Sequence, residues 1–462
     1  MRPADTGASA AVQRVDARTQ SPTGTDEPTG PDEAAGGAAG AAAPDRPAST
    51  ADVVDIAEAD ADKLVPGGPG YRKMSFALFS AGISTFALLY STQALLPAIS
   101  DDLRVSPDQA SWTVSAATGA LAVAVVPLSA LSERYGRRAM MTGSLIVAAL
   151  VALAAPFAPN LATLIALRAV QGAALAGLPA SAMAYLAEEV RPKALVAAIG
   201  LFVSGNSIGG MSGRIVTGWV AQASNWRVAL GVVGVMAVVC AVVFRATIPP
   251  ARNFTPRPVS PRSLARTVRG HLCDPLMCRL YALGALFMVV FGAVYTVIGY
   301  RLTAKPFELP QGIVGSIFLV YLVGTVTSAL AGKLVERLGR RGALYLAIGT
   351  ASLGLVLSAL DSLITVLLGL VLITAGFFVG HSVASSSVSH TATTGRAQAS
   401  ALYQTTYYLG SSLGALLGAL AFHAAGWNAT VALGLLAMAS AAAITLYATR
   451  KAAAERRLAT SA

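Results

Sequence analysis

Two arginines, Arg168 and Arg214, lie inside long apolar stretches of this 462-residue chain. A charge within such a stretch is expensive, so each is a candidate functional group. A guanidinium carries five donors in a fixed fork and does not titrate, so it can grip or sense a partner but cannot carry a proton. Gln93 and Gln171 supply neutral hydrogen-bonding groups for the same zone. Each arginine also has a purely structural reading. Arg168 would form a buried pair with Asp101 or Asp102, and Arg214 would extend its head to a membrane interface. The titratable groups left in apolar stretches are His381 and His423. His381 is either a neutral imidazole bonded to a neighbouring helix or a group that titrates during a proton-linked step, a role that suits histidine. Aromatic residues gather around these positions: Phe86, Tyr90, Tyr295, Tyr321, Phe377, Phe378, Tyr403, Tyr407 and Tyr408. Tyr403 and Tyr407 share one helical face at spacing four. They are either core packing or, in part, the wall of a mainly apolar ligand cavity.

Other chemistries find no support. There is no metal-ligand cluster, no Gly-rich phosphate loop before Lys-Ser/Thr, and no supported Ser–His–Asp arrangement. Cys240, Cys273 and Cys278 fit neither a disulfide framework nor a zinc pattern. The reading is a non-enzyme without cofactor or metal.

The elements that must position these residues are membrane spans. The chain is 55% hydrophobic and 12% charged, about half the charge of a soluble protein. Residues 1–70 are Ala-, Gly- and Pro-rich, with five basic and twelve acidic residues. They cannot bury enough apolar surface to order, so a disordered tail is expected, and no charged-then-apolar signal opens it. From Met74 on, twelve runs of about 20 apolar residues follow: roughly 74–99, 110–132, 139–157, 161–187, 194–220, 228–248, 280–302, 312–335, 342–360, 363–389, 399–424 and 428–449. In lipid their backbones can be satisfied only as helices. Residues 249–279, with six arginines, divide an amino-terminal bundle (71–248) from a carboxy-terminal one (280–450), and 451–462 is a second tail. With the N-terminus inside, 23 Lys and Arg from residue 71 on fall on the cytoplasmic side and four on the other. The positive-inside rule therefore places both termini in the cytoplasm. The basic excess sits in short turns, which excludes a nucleic-acid footprint.

The halves echo each other. Glu133-Arg134-Tyr135-Gly136-Arg137-Arg138 returns as Glu336-Arg337-Leu338-Gly339-Arg340-Arg341, an offset of 203 residues. Gly205, Gly209, Gly210 and Gly213 in the fifth run answer Gly410, Gly414 and Gly418 in the eleventh. These stripes either pack two helices closely or mark a pair that slides during a conformational cycle. Two six-helix repeats around a midplane site are the plan of a secondary transporter.

At these residues the chain resembles the major facilitator superfamily. Both charged turns match its signature, between helices 2 and 3 and between helices 8 and 9. Arg168 through Gly172 resembles its helix-4 arginine motif, and Gly205 through Gly210 its antiporter motif. Tyr90 through Pro97 and Gly205 through Arg214 are most similar to the YnfM-like, acriflavin-sensitivity-type branch of drug/proton exporters. Three departures stand out: Ser129 replaces a glycine and Glu133 an aspartate in the first turn, Asn206 replaces the antiporter proline, and no carboxylate lies deep in any helix.

The resemblance implies an all-α integral membrane fold of twelve helices in two six-helix pseudo-repeats. It implies a monomeric multi-pass protein of a bacterial-type inner membrane, whose partners are the bilayer, a small-molecule substrate and protons. The function read from it is proton-coupled efflux of a small organic compound by alternating access. The expected pathway residues are Gln93, Arg168, Gln171, Asn206, Arg214, Tyr295, Tyr321, His381, Tyr403 and Tyr407. Both charged turns, with Glu188 and Glu189, would gate the cytoplasmic side. There Glu133 would meet Arg137 or Arg138, Arg134 would meet Glu188 or Glu189, and the amino-half latch would be the looser. One alternative is a transporter of an anionic metabolite that uses Arg168 and Arg214. Another is a non-transporting membrane sensor of the same fold, for which the tail shows no docking motif.

Overall fold

The computed structural model describes residues 63–256, 261–393 and 395–461. The disordered tail expected over 1–70 lies outside them up to residue 62, and its last positions behave otherwise. The Leu64 N–H donates to the Glu189 carbonyl at 2.8 Å, and a helix begins at Pro69, where proline loses no hydrogen bond.

Ten helical runs among the described residues are long and apolar enough to cross a membrane. They are Pro69–Leu103, Pro107–Tyr135, Arg137–Phe157, Leu161–Glu189, Pro192–Ala223 and Trp226–Thr247, then Pro275–Thr303, Gln311–Ser358, Leu363–Thr391 and Gln398–Arg450. Two of them, of 48 and 53 residues, are far longer than the roughly 20 residues a bilayer requires. Each is interrupted by non-helical backbone, at Gly339 (φ 71°, ψ 165°) and at Ala425-Gly426. Counting each as two spans gives twelve. They are numbered here in chain order, so span 8 is 311–338, span 9 is 340–358, span 11 is 398–424 and span 12 is 427–450.

Local sequence sets the starts. Asn160, Asn225 and Asp274 each accept a hydrogen bond from a first-turn N–H of spans 4, 6 and 7, and Gln109 reaches back to the Ser106 N–H at span 2. The turns between spans 2 and 3 and between spans 8 and 9 hinge on Gly136 (φ 96°) and Gly339 (φ 71°). These are the glycines of the repeated motif, and a Cβ is disfavoured at such φ. Residues 249–279 are not simply a loop: Pro261–Cys273 is helical, and span 7 starts at Pro275. Arg262, Arg266 and Arg269 share one face of that short helix at helical spacing. The span-12 helix runs on through Ser461, so the expected second tail continues a helix.

Spans 1 and 7 form the centre. Their most apolar stretches are 72% and 78% buried within the protein, against 28–50% for the other spans. The glycine stripes face these two helices. A Cβ at Gly205, Gly209 or Gly213 would meet the backbone of Phe79, Ile83 or Ala87 in span 1. One at Gly410, Gly414 or Gly418 would meet Ala285, Val289 or Ala293 in span 7. The two halves thus repeat one close-packed seam.

Candidate functional site

Span 1 is not continuous. Pro97 has no N–H for the carbonyl four residues earlier, and the helix stops at Leu89 before resuming at Leu96. A helix end leaves carbonyls unpaired and carries negative partial charge. Arg168 of span 4 meets it. Its Nη1 donates to the Leu88 carbonyl (2.7 Å) and Ser91 Oγ (3.3 Å), its Nη2 to the Leu89 carbonyl, and its Nε to the Thr113 carbonyl (3.0 Å). Gln171 Oε1 accepts from the same guanidinium, while its Nε2 donates to the Ala148 carbonyl at 3.2 Å. Arg168 is 1% exposed. The pairing expected with Asp101 or Asp102 does not occur, because the helix end supplies the acceptors.

The same break places Gln93. Its Oε1 accepts from Arg214 Nε at 2.7 Å, and its Nε2 donates to Thr296 of span 7 at 3.2 Å. Arg214 also donates to the Gly210 carbonyl through Nη1. Its guanidinium carbon lies 4.4, 4.7 and 4.9 Å from the ring centroids of Tyr90, Phe318 and Tyr321. At 1% exposure it does not extend to the interface. Rings satisfy the cation where lipid headgroups were expected to.

Arg214 lines a cavity of about 330 Å³ between the halves. Phe and Tyr supply ten of the lining residues, and none is Asp, Glu or Lys. Phe291 stacks on Phe377 at 4.0 Å between centroids. His381 Nδ1 lies 2.9 Å from Tyr403 OH, its ring 4.7 Å from that of Tyr407. Asn206 Oδ1, Tyr321 OH and Gln404 Oε1 are buried without a hydrogen-bond partner. A buried polar atom left open in a cavity wall is a group available to a ligand.

Six of the ten expected pathway residues line this cavity: Asn206, Arg214, Tyr321, His381, Tyr403 and Tyr407. Gln93, Arg168, Gln171 and Tyr295 stand behind the wall. Tyr295 OH is 2.5 Å from Thr374 Oγ1, which keeps it in the core. Gln404, which adjoins Tyr403 on the face expected to reach a cavity, lines it too, and Ser385 and Phe291 do so unanticipated. An amide inside an apolar run beside Tyr403 was a usable signal, whereas Phe291 carried none.

The bonds that join the halves are gathered on one side of the cavity. Leu64 binds beside Val190, so span 1 starts at the end that carries the first charged turn. Span 7 runs beside span 1 in the same direction, which puts the second charged turn at that end too. Among the described residues, the bonds that join the halves lie from the middle toward the opposite end. There Ser100 Oγ and Tyr300 OH are 2.6 Å apart, and the Trp219 indole donates to Ser316 at 2.9 Å. The Gly312 N–H donates to Gln222 at 2.8 Å, and the Ser115 and Ser412 hydroxyls each donate to the other's carbonyl. The bonds described at the charged end, such as Arg137–Glu188 and Asn253–Glu189, hold the amino half to itself and to the segment that follows it.

The two charged turns differ. In the first, Arg137 donates to Glu188 at 3.0 and 3.1 Å and to Ser132 Oγ at 2.7 Å, and lies 5.8 Å from the Phe254 ring centroid. Glu189 accepts from the Asn253 N–H (2.8 Å) and its side-chain amide (3.1 Å). Glu133 makes no ion pair among the described residues, Arg134 lies over Tyr135, and Arg138 is half-buried. The expected pairs are thus replaced by Arg137–Glu188, because Gly136 starts span 3 at Arg137 and faces that side chain toward span 4. Glu336, Arg337, Arg340 and Arg341 of the second turn are exposed and unpaired among the described residues. The looser copy is therefore the carboxy-half one, opposite to expectation.

A family model described as Major Facilitator Superfamily matches residues 74–415 and 307–462. The chain is 40% identical over 365 residues to the uncharacterized MFS-type transporter YybF of Bacillus subtilis strain 168, covering 79% of this chain and 90% of that one. It is 36% identical over 382 residues to the inner membrane transport protein YnfM of Escherichia coli K12, covering 83% and 91%. Among solved structures it is similar to a bacterial homologue of the human lysosomal transporter Spinster, inward-facing and unoccupied (TM-score 0.68, 16% identity, 83% and 98% covered). A peptide transporter, POT, in complex with sulfate gives 0.65 at 15% identity, with 85% and 98% covered. At these identities the structures speak to the fold alone.

Proposed function

The chain belongs to the major facilitator superfamily, and from that premise we propose that it exports a small organic compound across a bacterial inner membrane by proton-coupled alternating access. The observation that carries this reading is the uneven closure of the cavity, with the described hydrogen bonds between the halves gathered from its middle toward one end. A pathway that serves both faces in turn needs an end that opens when the other closes. The positive-inside count assigns the charged turns, both termini and the segment 249–279 to the cytoplasm. The cavity then faces the cytoplasm, the side from which an exporter loads. The inner-membrane name of YnfM supports the location.

Closure at the far end rests mainly on neutral hydrogen bonds, each worth about 0.5–1.5 kcal/mol net, with His423 Nδ1 also 3.9 Å from Asp108 Oδ1 across the halves. Such a clasp can break and re-form within a transport cycle. The Arg137–Glu188 pair is partly exposed (11% and 26%) and worth about 0–1 kcal/mol, suited to a contact that changes partners. His381 is the proton-binding candidate, since no carboxylate lines the cavity and it is the wall's imidazole base. The monomer is the working unit.

Flux of a panel of compounds in vesicles, with and without an imposed pH gradient, tests the proposal. Gradient-driven efflux is expected for wild type, and His381→Gln should retain binding but lose the dependence on the gradient. Flux that ignores the gradient in both proteins would remove proton coupling.

A further inference from the structure

We propose that the cavity takes small aromatic monoanions, with a carboxylate or sulfonate on Arg214 and a flat ring system against the aromatic wall of spans 7, 10 and 11. This names the substrate class for the transport reading above and rests on it only for movement, not for binding.

Four observations carry it. Arg214 is the one permanently charged side chain of the wall, and no acid among the described residues lies beside it to balance the charge. A buried charge without a counter-charge is costly. Here the offset comes from two carbonyl acceptors and three ring faces. An anion would supply what is missing. Second, Arg214 spends Nε and Nη1 on the protein, whereas Nη2 donates to no described group. A guanidinium held by two of its nitrogens and open at the third is oriented toward an incoming acceptor.

Third, the Tyr321 hydroxyl lines the same cavity with no hydrogen-bond partner among the described residues and can donate to the anion, whereas Asn206 Oδ1 and Gln404 Oε1, also unpartnered there, are acceptors for a donor substituent on its ring. Fourth, Phe291 and Phe377 are stacked and Phe378 meets both edge-on, at 6.1 and 5.1 Å between centroids. A planar ligand can extend such a stack. A lipophilic cation would gain the same rings but bring a like charge toward a guanidinium that has no acid to neutralise it.

Three ligands with one ring system and different charge test the proposal: 1-naphthoate, 1-naphthamide and 1-naphthylmethylammonium. The readout is the thermal midpoint of the purified full-length protein in detergent, which a ligand of the folded state raises with concentration. The naphthoate should raise it, the amide should act only at concentrations at least tenfold higher, and the ammonium should not raise it. Arg214→Gln should remove the naphthoate effect. Gln404→Glu leaves Arg214 in place and adds an acid to the wall; it should weaken naphthoate at least tenfold and admit the ammonium. A midpoint raised equally by the ammonium or the amide, a naphthoate effect that survives both substitutions, or no naphthoate effect at all would overturn the proposal. Flux of the same compounds into vesicles separates this from the transport reading. A naphthoate midpoint shift without flux leaves the site standing and removes transport of this class. Ammonium flux without a naphthoate shift does the reverse.

Discussion

Arg168 and Arg214 are the same residue, equally buried and equally without a carboxylate partner, yet their surroundings assign them different work. All three nitrogens of Arg168 are spent, mostly on backbone carbonyls where span 1 breaks. Arg214 is held by one glutamine and one carbonyl, sits among three rings, and lines the cavity with Nη2 donating to no described group. The lesson is that charge within a membrane span does not by itself mark a binding site. What separates a structural arginine from a binding one is how many of its donors the protein has already used. Gln93 ties the two together, since the break that Arg168 caps is what presents Gln93 to Arg214.

The sharpest attempt to break this contrast is Arg168→Leu. It leaves the Leu89 carbonyl without its donor inside the membrane, at about 1–3 kcal/mol, and takes from the Leu88 carbonyl one of its donors, the Ser91 hydroxyl being another. Most of the protein should be lost from a monodisperse peak in size-exclusion chromatography. Full recovery of folded protein would show that the cap is dispensable. Next in size is Arg214→Gln, where folding should persist and transport should fall at least tenfold, equivalent to about 1.4 kcal/mol, as measured by initial rates in vesicles. The smallest effect extends the same logic of spent and unspent partners to the first charged turn. Glu188→Gln removes the charge that Arg137 pairs with and should slow turnover by a few-fold, within the roughly 0–1 kcal/mol of a partly exposed pair. Glu133→Gln removes a group with no ion pair and should be closer to wild type. Equal slowing by both would mean that Glu133 acquires a partner elsewhere in the cycle.

The spans were legible because runs of apolar residues and the backbone's need for internal hydrogen bonds leave helices as the solution. The repeated turn was legible for a related reason: Gly136 and Gly339 each sit at positive φ, so the motif is a backbone requirement as well as a charge pattern. The site was only half legible. Asn206, His381 and Tyr403 stood out as polar or ring-bearing residues in apolar runs. That Arg214 would be caged, not extended to the interface, depended on Tyr90 and Phe318, which lie more than 100 positions away in the chain. Local pattern holds no record of such contacts. The break in span 1 was signalled by Pro97, but its capping by Arg168 was not. Arg137 and Arg138 are adjacent arginines, and only the fold distinguishes the one that reaches Glu188.

The most direct test compares Arg168→Lys with Arg214→Lys, each measured for thermal midpoint and for transport per folded molecule. Lysine keeps the charge and loses the planar fork. The account predicts that Arg168→Lys lowers the midpoint while the folded fraction still transports. It also predicts that Arg214→Lys keeps the midpoint and loses transport. The reverse pattern, with Arg168→Lys stable but inactive and Arg214→Lys unstable but active, would contradict the division of labour between the two arginines.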